Sequence, residues 1–197
     1  MKRRQIVTGT LASAFLLALW SPIQAVAKKA VQIVRRRYLR PPGAVAEDQF
    51  LNQCIRCGQC GQICPNRCIK YFDITDGVKL KDTPFIIPRE KACILCMKCG
   101  EVCPTGAITP IVRSAEKIVE QVHMGKARVD ENLCLSFQGK TCGVCYRACP
   151  LPDIAITAGL LEQPHVTDKC VGCGLCERSC IQLPQAIKII PSHIVQG

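Results

Sequence analysis

Three features of this 197-residue chain predict an α+β fold of two tandem modules, built from short hairpin strands and short helices. Sixteen of its seventeen cysteines fall into four successive blocks. The first cysteines of the blocks, Cys54, Cys93, Cys134 and Cys170, follow one another at intervals of 39, 41 and 36 residues, which is an internal repeat. A short apolar run trails each block: Ile69 to Phe72, Ala107 to Thr109, Ile154 to Thr157 and Ala186 to Ile190. Such runs read as short strands that hairpin beside whatever the cysteines hold.

The blocks are Cys54-x2-Cys57-x2-Cys60-x3-Cys64-Pro65, Cys93-x2-Cys96-x2-Cys99-x3-Cys103-Pro104, Cys134-x7-Cys142-x2-Cys145-x3-Cys149-Pro150 and Cys170-x2-Cys173-x2-Cys176-x3-Cys180. Two residues between thiolates let a tight loop present three sulfurs to three irons of a cubane. The proline then turns the chain away, so the fourth cysteine serves the neighbouring cluster of a two-cluster module. The first two blocks resemble the bacterial ferredoxin motif at every position. Dense C-x2-C-x2-C runs make poor disulfide frameworks. Zinc hooks need neither a third cysteine at the same step nor a proline after it. The expected cofactors are therefore four 4Fe-4S clusters in two tandem bacterial-type ferredoxin modules.

Exchange of the fourth ligand gives four expected sites, numbered here by the block supplying three of the ligands. Site I is Cys54, Cys57, Cys60 and Cys103; site II is Cys93, Cys96, Cys99 and Cys64. Site III is Cys134, Cys142, Cys145 and Cys180; site IV is Cys170, Cys173, Cys176 and Cys149. This pairs block one with two and three with four, following sequence order. Pairing two with three is the alternative, at a greater loop-closure cost for the outer blocks. In block three, Leu135 to Thr141 form a bulge, and in block four Ile181 stands where the others have proline. Cys68 lies outside the pattern and reads as a small buried residue beside a cluster, with substitute ligand or redox-active thiol as the other readings.

Aliphatic residues, namely Ile55, Ile94 and Val171 after the first cysteines and Ile63 and Val102 before the fourth, read as cluster-facing or ordinary core. Gly58, Gly61, Gly100, Gly143, Gly172 and Gly174 fit backbone that approaches sulfur closely or takes a positive φ. His123, His165 and His193 are isolated from the cysteine blocks. No Ser-His-Asp set, paired-carboxylate signature, phosphate loop or dinucleotide fingerprint is visible, so the sequence offers no catalytic residues.

Residues 1–27 read as an export signal: Lys2, Arg3 and Arg4, then a mostly apolar run from Ile6 to Trp20, then Ala25-Val26-Ala27 as a cleavage site. Arg3-Arg4-Gln5-Ile6-Val7 has a twin-arginine character, which suits a cargo whose clusters are inserted before export. Residues 28–42 form a basic arm whose six positive charges interleave with apolar residues. Its stretch 28–40 is a candidate for contact with an anionic membrane surface or an acidic partner. The remaining divisions are a first module at 43–113, a linker helix at 114–125 capped by Ser114 and stopped by Gly125, a second module at 126–191, and a tail at 192–197.

The formal charge of +11 comes largely from the leader and arm, and the body from Gly43 onward carries only +2. Sixteen thiolates and four 2+ cluster cores would bring that body to about −6. With no stacking platform or helix-turn-helix pattern, nucleic acid is excluded as a partner.

The chain also resembles the NapG/MauM family of ferredoxin-type proteins. The matching segments are Leu39 to Ala44, Cys57-Gly58-Gln59-Cys60, Met124-Gly125, Asn132 to Gly139 continuing to Cys145-Tyr146-Arg147-Ala148-Cys149-Pro150, and Ala186-Ile187-Lys188. The long first gap of block three is a trait of that family. The resemblance implies a periplasmic electron-transfer protein rather than an enzyme. Its partners would be a membrane-bound iron-sulfur or quinol-oxidising protein and a periplasmic redox enzyme of nitrate reductase type. The alternative is an accessory role in maturing a periplasmic metalloenzyme for methylamine utilisation.

Overall fold

A computed structural model describes residues 38–195. The expected export signal, the arm up to Arg37 and the last two residues of the tail lie outside the described residues.

The first module opens on Tyr38 to Pro42, which is packed into the fold. Leu39 is fully buried and pairs with Ile86 through both backbone hydrogen bonds (2.9 and 2.8 Å). The expected boundary after Pro42 therefore moves back to at least Tyr38. The physical reason is Arg40, counted above as part of the arm. Its guanidinium lies 4.6 Å from the Phe50 ring, 5.0 Å from Tyr38 and 5.5 Å from Phe72. It donates to Glu47 Oε2 (2.9 Å), Thr83 Oγ1 (3.0 Å) and the Pro84 carbonyl (2.6 Å), so every face of the cation is used.

Helix α1 (Glu47–Gln53) follows and buries Phe50. Then come α2 (Gln59–Gln62), β1 (Lys70–Tyr71), a 3-10 turn at Ile74–Asp76 capped by Asp73, β2 (Pro84–Phe85) and α3 (Lys98–Glu101). β1 and β2 form a two-residue antiparallel ladder. Ala107 to Thr109, expected as a strand, makes only a bridge between Ala44 and Ile108.

The linker helix α4 (Ala115–Gln121) begins as expected, with Ser114 accepting from the Lys117 amide at 3.2 Å. It ends earlier than expected. Gly125 does not stop the helix but opens strand β3 (Gly125–Val129), which pairs antiparallel with β6 (Ile187–Pro191) over five residues. Between these strands lie α5 (Val144–Arg147), the hairpin β4 (Ile156–Ala158) with β5 (Pro164–Val166), and α6 (Leu175–Ser179). α7 (Ser192–Val195) ends the described chain. Among the described residues no helix is long and apolar enough to cross a membrane.

Two apolar cores result. Phe50, Cys60, Cys99, Ala107 and Ile108 form one, and a larger one runs from Leu39, Cys64 and Cys93 through Met124 and Val171 to Cys176 and Ile189. Cysteine is a large part of both.

Candidate iron-sulfur sites

Each block uses one local device. The residue after its second cysteine takes a left-handed conformation and starts a one-turn helix that carries the third cysteine. These residues are Gly58 (φ 75°), Met97 (φ 62°), Gly143 (φ 59°) and Gly174 (φ 86°). The reversed φ folds the loop back so that the second and third sulfurs face one centre. Gly172 also takes a positive φ, whereas Gly61 and Gly100 have another reason to be glycine. A Cβ on Gly61 would meet the Tyr71 hydroxyl at 2.2 Å, and one on Gly100 the Thr109 carbonyl at 2.3 Å.

The expected sets are brought together in three cavities. Cys54, Cys57, Cys60 and Cys103 line the first, with Ile55, Val102 and Ile108. Cys134, Cys142, Cys145 and Cys180 line the second, with Val129 and Ile187. Cys149, Cys170, Cys173 and Cys176 line the third, with Ala127, Val171 and Ile189. Cys103, Cys149 and Cys180 thus each line the cavity of the partner block. The seven-residue bulge of block three leaves Cys134 buried. It is fastened by Gln163 donating to the Ser136 carbonyl (3.3 Å) and by Phe137 edge-on to His165 (6.0 Å).

Site II differs. Cys64 Sγ lies 3.6 Å from Cys68 Sγ, and Cys68 shares a hydrogen bond with Cys93; all three are buried in the larger core. Cys68 is therefore a fifth thiol at this site. The proton shared by the pair holds Cys68 below the usual thiol range and Cys93 well above it. Cys96 adjoins Cys99, and its charge adds to the burial that raises the Cys99 thiol.

Burial sets the electrostatics elsewhere. It pushes the Cys99 and Cys173 thiols up to about 12 and Cys145 up to about 11. Such sulfurs hold protons at neutral pH until a metal displaces them. At Cys103 burial also pushes upward, but the amides of Ile108 and Thr105 more than offset it, and the thiol lies below its usual range. Amide donors to sulfur come from Leu95 to Cys93 and from Ile108 to Cys103, both at 3.4 Å, and the Gly61 and Gly100 amides act on Cys60 and Cys99. Of the aliphatic residues, Val171 is 3% exposed whereas Ile55 is 61% exposed, so only some are core.

All seventeen cysteines are free thiols. Among the described residues no three Cys, His, Asp or Glu side chains converge closely enough to hold a single metal ion. Four thiols spaced around an apolar cavity suit a multi-iron cluster, in which each sulfur meets a different iron. The residues fit that group.

The fold and these sites define a ferredoxin-type iron-sulfur protein. The 4Fe-4S dicluster domain family matches residues 53–107 and 92–152. Over 174 residues the chain is 39% identical to the ferredoxin-type protein NapG of Escherichia coli, covering 81% of this chain and 73% of that protein. It is 34% identical over 209 residues to the methylamine utilization ferredoxin-type protein MauM of Methylorubrum extorquens, covering 99% and 91%. It is 35% identical over 211 residues to NapG of Haemophilus influenzae, covering 100% and 72%. The chain belongs to the NapG/MauM family of ferredoxin-type proteins, and its function is electron transfer.

Proposed function

We propose that this chain is a four-cluster electron carrier of the periplasm. In this reading it takes electrons from a membrane quinol-oxidising or iron-sulfur partner and delivers them to a periplasmic reductase of nitrate type. The observation that carries it is the gathering of four cysteines, with ligand exchange, around each of three cavities. Cys54, Cys57, Cys60 and Cys103 would hold one cluster, Cys93, Cys96, Cys99 and Cys64 a second, Cys134, Cys142, Cys145 and Cys180 a third, and Cys170, Cys173, Cys176 and Cys149 a fourth. A bound cubane supplies reversible one-electron chemistry. The chain's own residues supply four thiolates per site, amide donors to sulfur at Cys93 and Cys103, and apolar walls that exclude water.

Export in the folded state through a twin-arginine signal suits this cargo, with cleavage after Ala27. Trp20 is the sole tryptophan, so the mature protein would show no tryptophan emission, and clear emission would rule out cleavage. The retained part of the arm, residues 28–37, would contact an anionic surface or partner.

Iron and acid-labile sulfide analysis with EPR on anaerobically purified protein tests the cofactor content. About four cubanes per chain are expected. A count near two would overturn the pairing scheme. Failure of a reduced partner to bleach the cluster absorbance would overturn the carrier reading.

A second reading, an accessory role in methylamine utilisation, is favoured by one observation. The Methylorubrum MauM is matched over 91% of its own length, against 73% and 72% for the Escherichia and Haemophilus NapG proteins. Gene deletion separates the two: loss of a carrier leaves the target enzyme intact but unreduced, whereas loss of a maturation factor leaves it without its cofactor.

A further inference from the structure

We propose that the four sites are strung in the order I, II, IV, III, so that sites I and III are the two ends at which electrons enter and leave. The proposal rests on the carrier reading above and adds the path. The order of blocks along the chain suggests instead that the linker helix carries the relay from site II straight to site III.

The junction between the modules lies between blocks two and four. The Cys93 amide donates to the Cys173 carbonyl at 3.0 Å, tying a cysteine of site II to one of site IV through a single backbone hydrogen bond. Pro88 sits where a Cβ on Gly174 would fall, at 2.5 Å, so the loop before block two is seated on the loop inside block four. Arg89 Nη1 extends this contact along the end of α6, donating to the carbonyls of Glu177 (3.1 Å), Arg178 (3.0 Å) and Cys180 (2.9 Å). Cys64 and Cys93 share one apolar core with Cys173 and Cys176. Site I is apart from this junction. Its cavity is lined only by residues between Phe50 and Ile108, and Cys60 belongs to the smaller core.

Strand β3 explains why block three lies beyond block four. After the linker helix, the Met124 amide donates to the Val171 carbonyl (3.1 Å), so the chain arrives first at block four. Along the β3/β6 ladder, the pair Ala127 and Ile189 lines site IV, and the next pair on that face, Val129 and Ile187, lines site III. Five residues at about 3.3 Å each carry the chain roughly 16 Å before Asp130 caps the turn into Cys134. Exposure agrees with the order. Ile55 at site I and Val171 at site IV occupy the same position after a block's first cysteine, yet they are 61% and 3% exposed.

Pulsed dipolar EPR on the partly reduced full-length holoprotein tests the order. The unaltered protein should show three nearest-neighbour couplings between clusters. Cys142→Ala removes site III at a cysteine on a partly exposed loop. It should abolish one coupling and leave two; if site III instead lay between II and IV, two would vanish, and the proposed order would be wrong. Cys170→Ala, removing site IV, gives the converse reading. It should abolish two couplings and leave the site III cluster magnetically isolated, whereas loss of only one would overturn the order. Four clusters coupled in another pattern would remove this proposal and leave the carrier reading standing, whereas unaltered protein without clusters would remove that reading itself.

Discussion

The two modules carry the same pair of reversed loops at their cysteine blocks, apart from the long first gap of block three, on different scaffolds. Within the cysteine blocks of module two the positions with a reversed backbone are Gly143, Gly172 and Gly174, and two five-residue strands, β3 and β6, run past both sites. In module one the corresponding positions include Arg56 (φ 62°), Leu95 (φ 53°) and Met97 (φ 62°), and the ladder is two residues long. Each such side chain costs about 1–2 kcal/mol of local strain. Module one offsets it with a buried cation at Arg40, the aromatic rings around it and a fifth thiol at site II. The reversed loops at the cysteine blocks are thus common to both modules, and the means of bracing them differs between the halves.

The largest test of that difference is ligand removal within module one itself. Cys103 has no second thiol beside it at site I, so Cys103→Ala should lose that cluster and about a quarter of the bound iron. Cys64 has Cys68 at 3.6 Å, so Cys64→Ala should retain its iron with an altered EPR signature, and the Cys64→Ala/Cys68→Ala double variant should lose it. Iron analysis decides: equal loss in the two single variants would show that Cys68 is packing alone.

Next in size is Arg40→Ala, which strands Glu47 without its partner and empties the space between three aromatic rings. About 3 kcal/mol should be lost from module one, seen as earlier thermal bleaching of the holoprotein. Arg40→Lys should recover little, because an ammonium cannot reach Glu47, Thr83 and the Pro84 carbonyl together. Full recovery by lysine would mean that only the charge matters.

A smaller effect contrasts the two kinds of reversed backbone. Gly172→Ala would place a Cβ 2.4–2.5 Å from the backbone of Gly125 at the start of β3, in addition to its positive φ, and should cost about 1–3 kcal/mol. Arg56→Gly relieves strain but gives up hydrogen bonds to the Lys81 and Lys79 carbonyls (2.9 and 3.2 Å), and should shift the unfolding midpoint little. A Gly172→Ala protein as stable as its parent would show that the linker strand yields freely.

These contrasts also mark what the sequence made legible. The cysteine blocks and the Ser114 cap are local or periodic features, and short stretches of sequence locate them. Arg40 reads as one more charge of a basic arm, because Glu47, Phe50 and Phe72, which help to bury it, lie 7 to 32 residues further on. Strand β3 was hidden behind Gly125, which carries a helix-stop meaning locally and a strand start once β6 is brought alongside. Cys68 carries no spacing signal, and its adjacency to Cys93 depends on how block two folds back. The order of the sites depends on a junction between residues 80 positions apart, Cys93 and Cys173.

The smallest expected effect is in acid. Burial pushes the Glu47 carboxyl up, but the hydrogen bonds and charge of Arg40, with a further hydrogen bond from Tyr38 (3.0 Å), hold it below the usual carboxylate range. A carboxyl lowered on folding contributes stability that is fully present above its unfolded value, about 4.3, and is lost as pH falls through the folded value. Glu47→Gln should therefore be less stable than the parent at pH 7, and the gap should close on acidification below about pH 4. Module two has no ion pair as buried as Arg40–Glu47 among its described residues, and its exposed pairs, such as Arg147–Glu162, contribute little. Acid attacks thiolate ligands in both modules alike, so the quantity to measure is the parent-minus-variant difference in bleaching temperature at each pH. A gap that stayed constant as the pH falls well below about 4 would mean that the Glu47 charge does not brace module one, leaving the aromatic packing of Arg40 as its support.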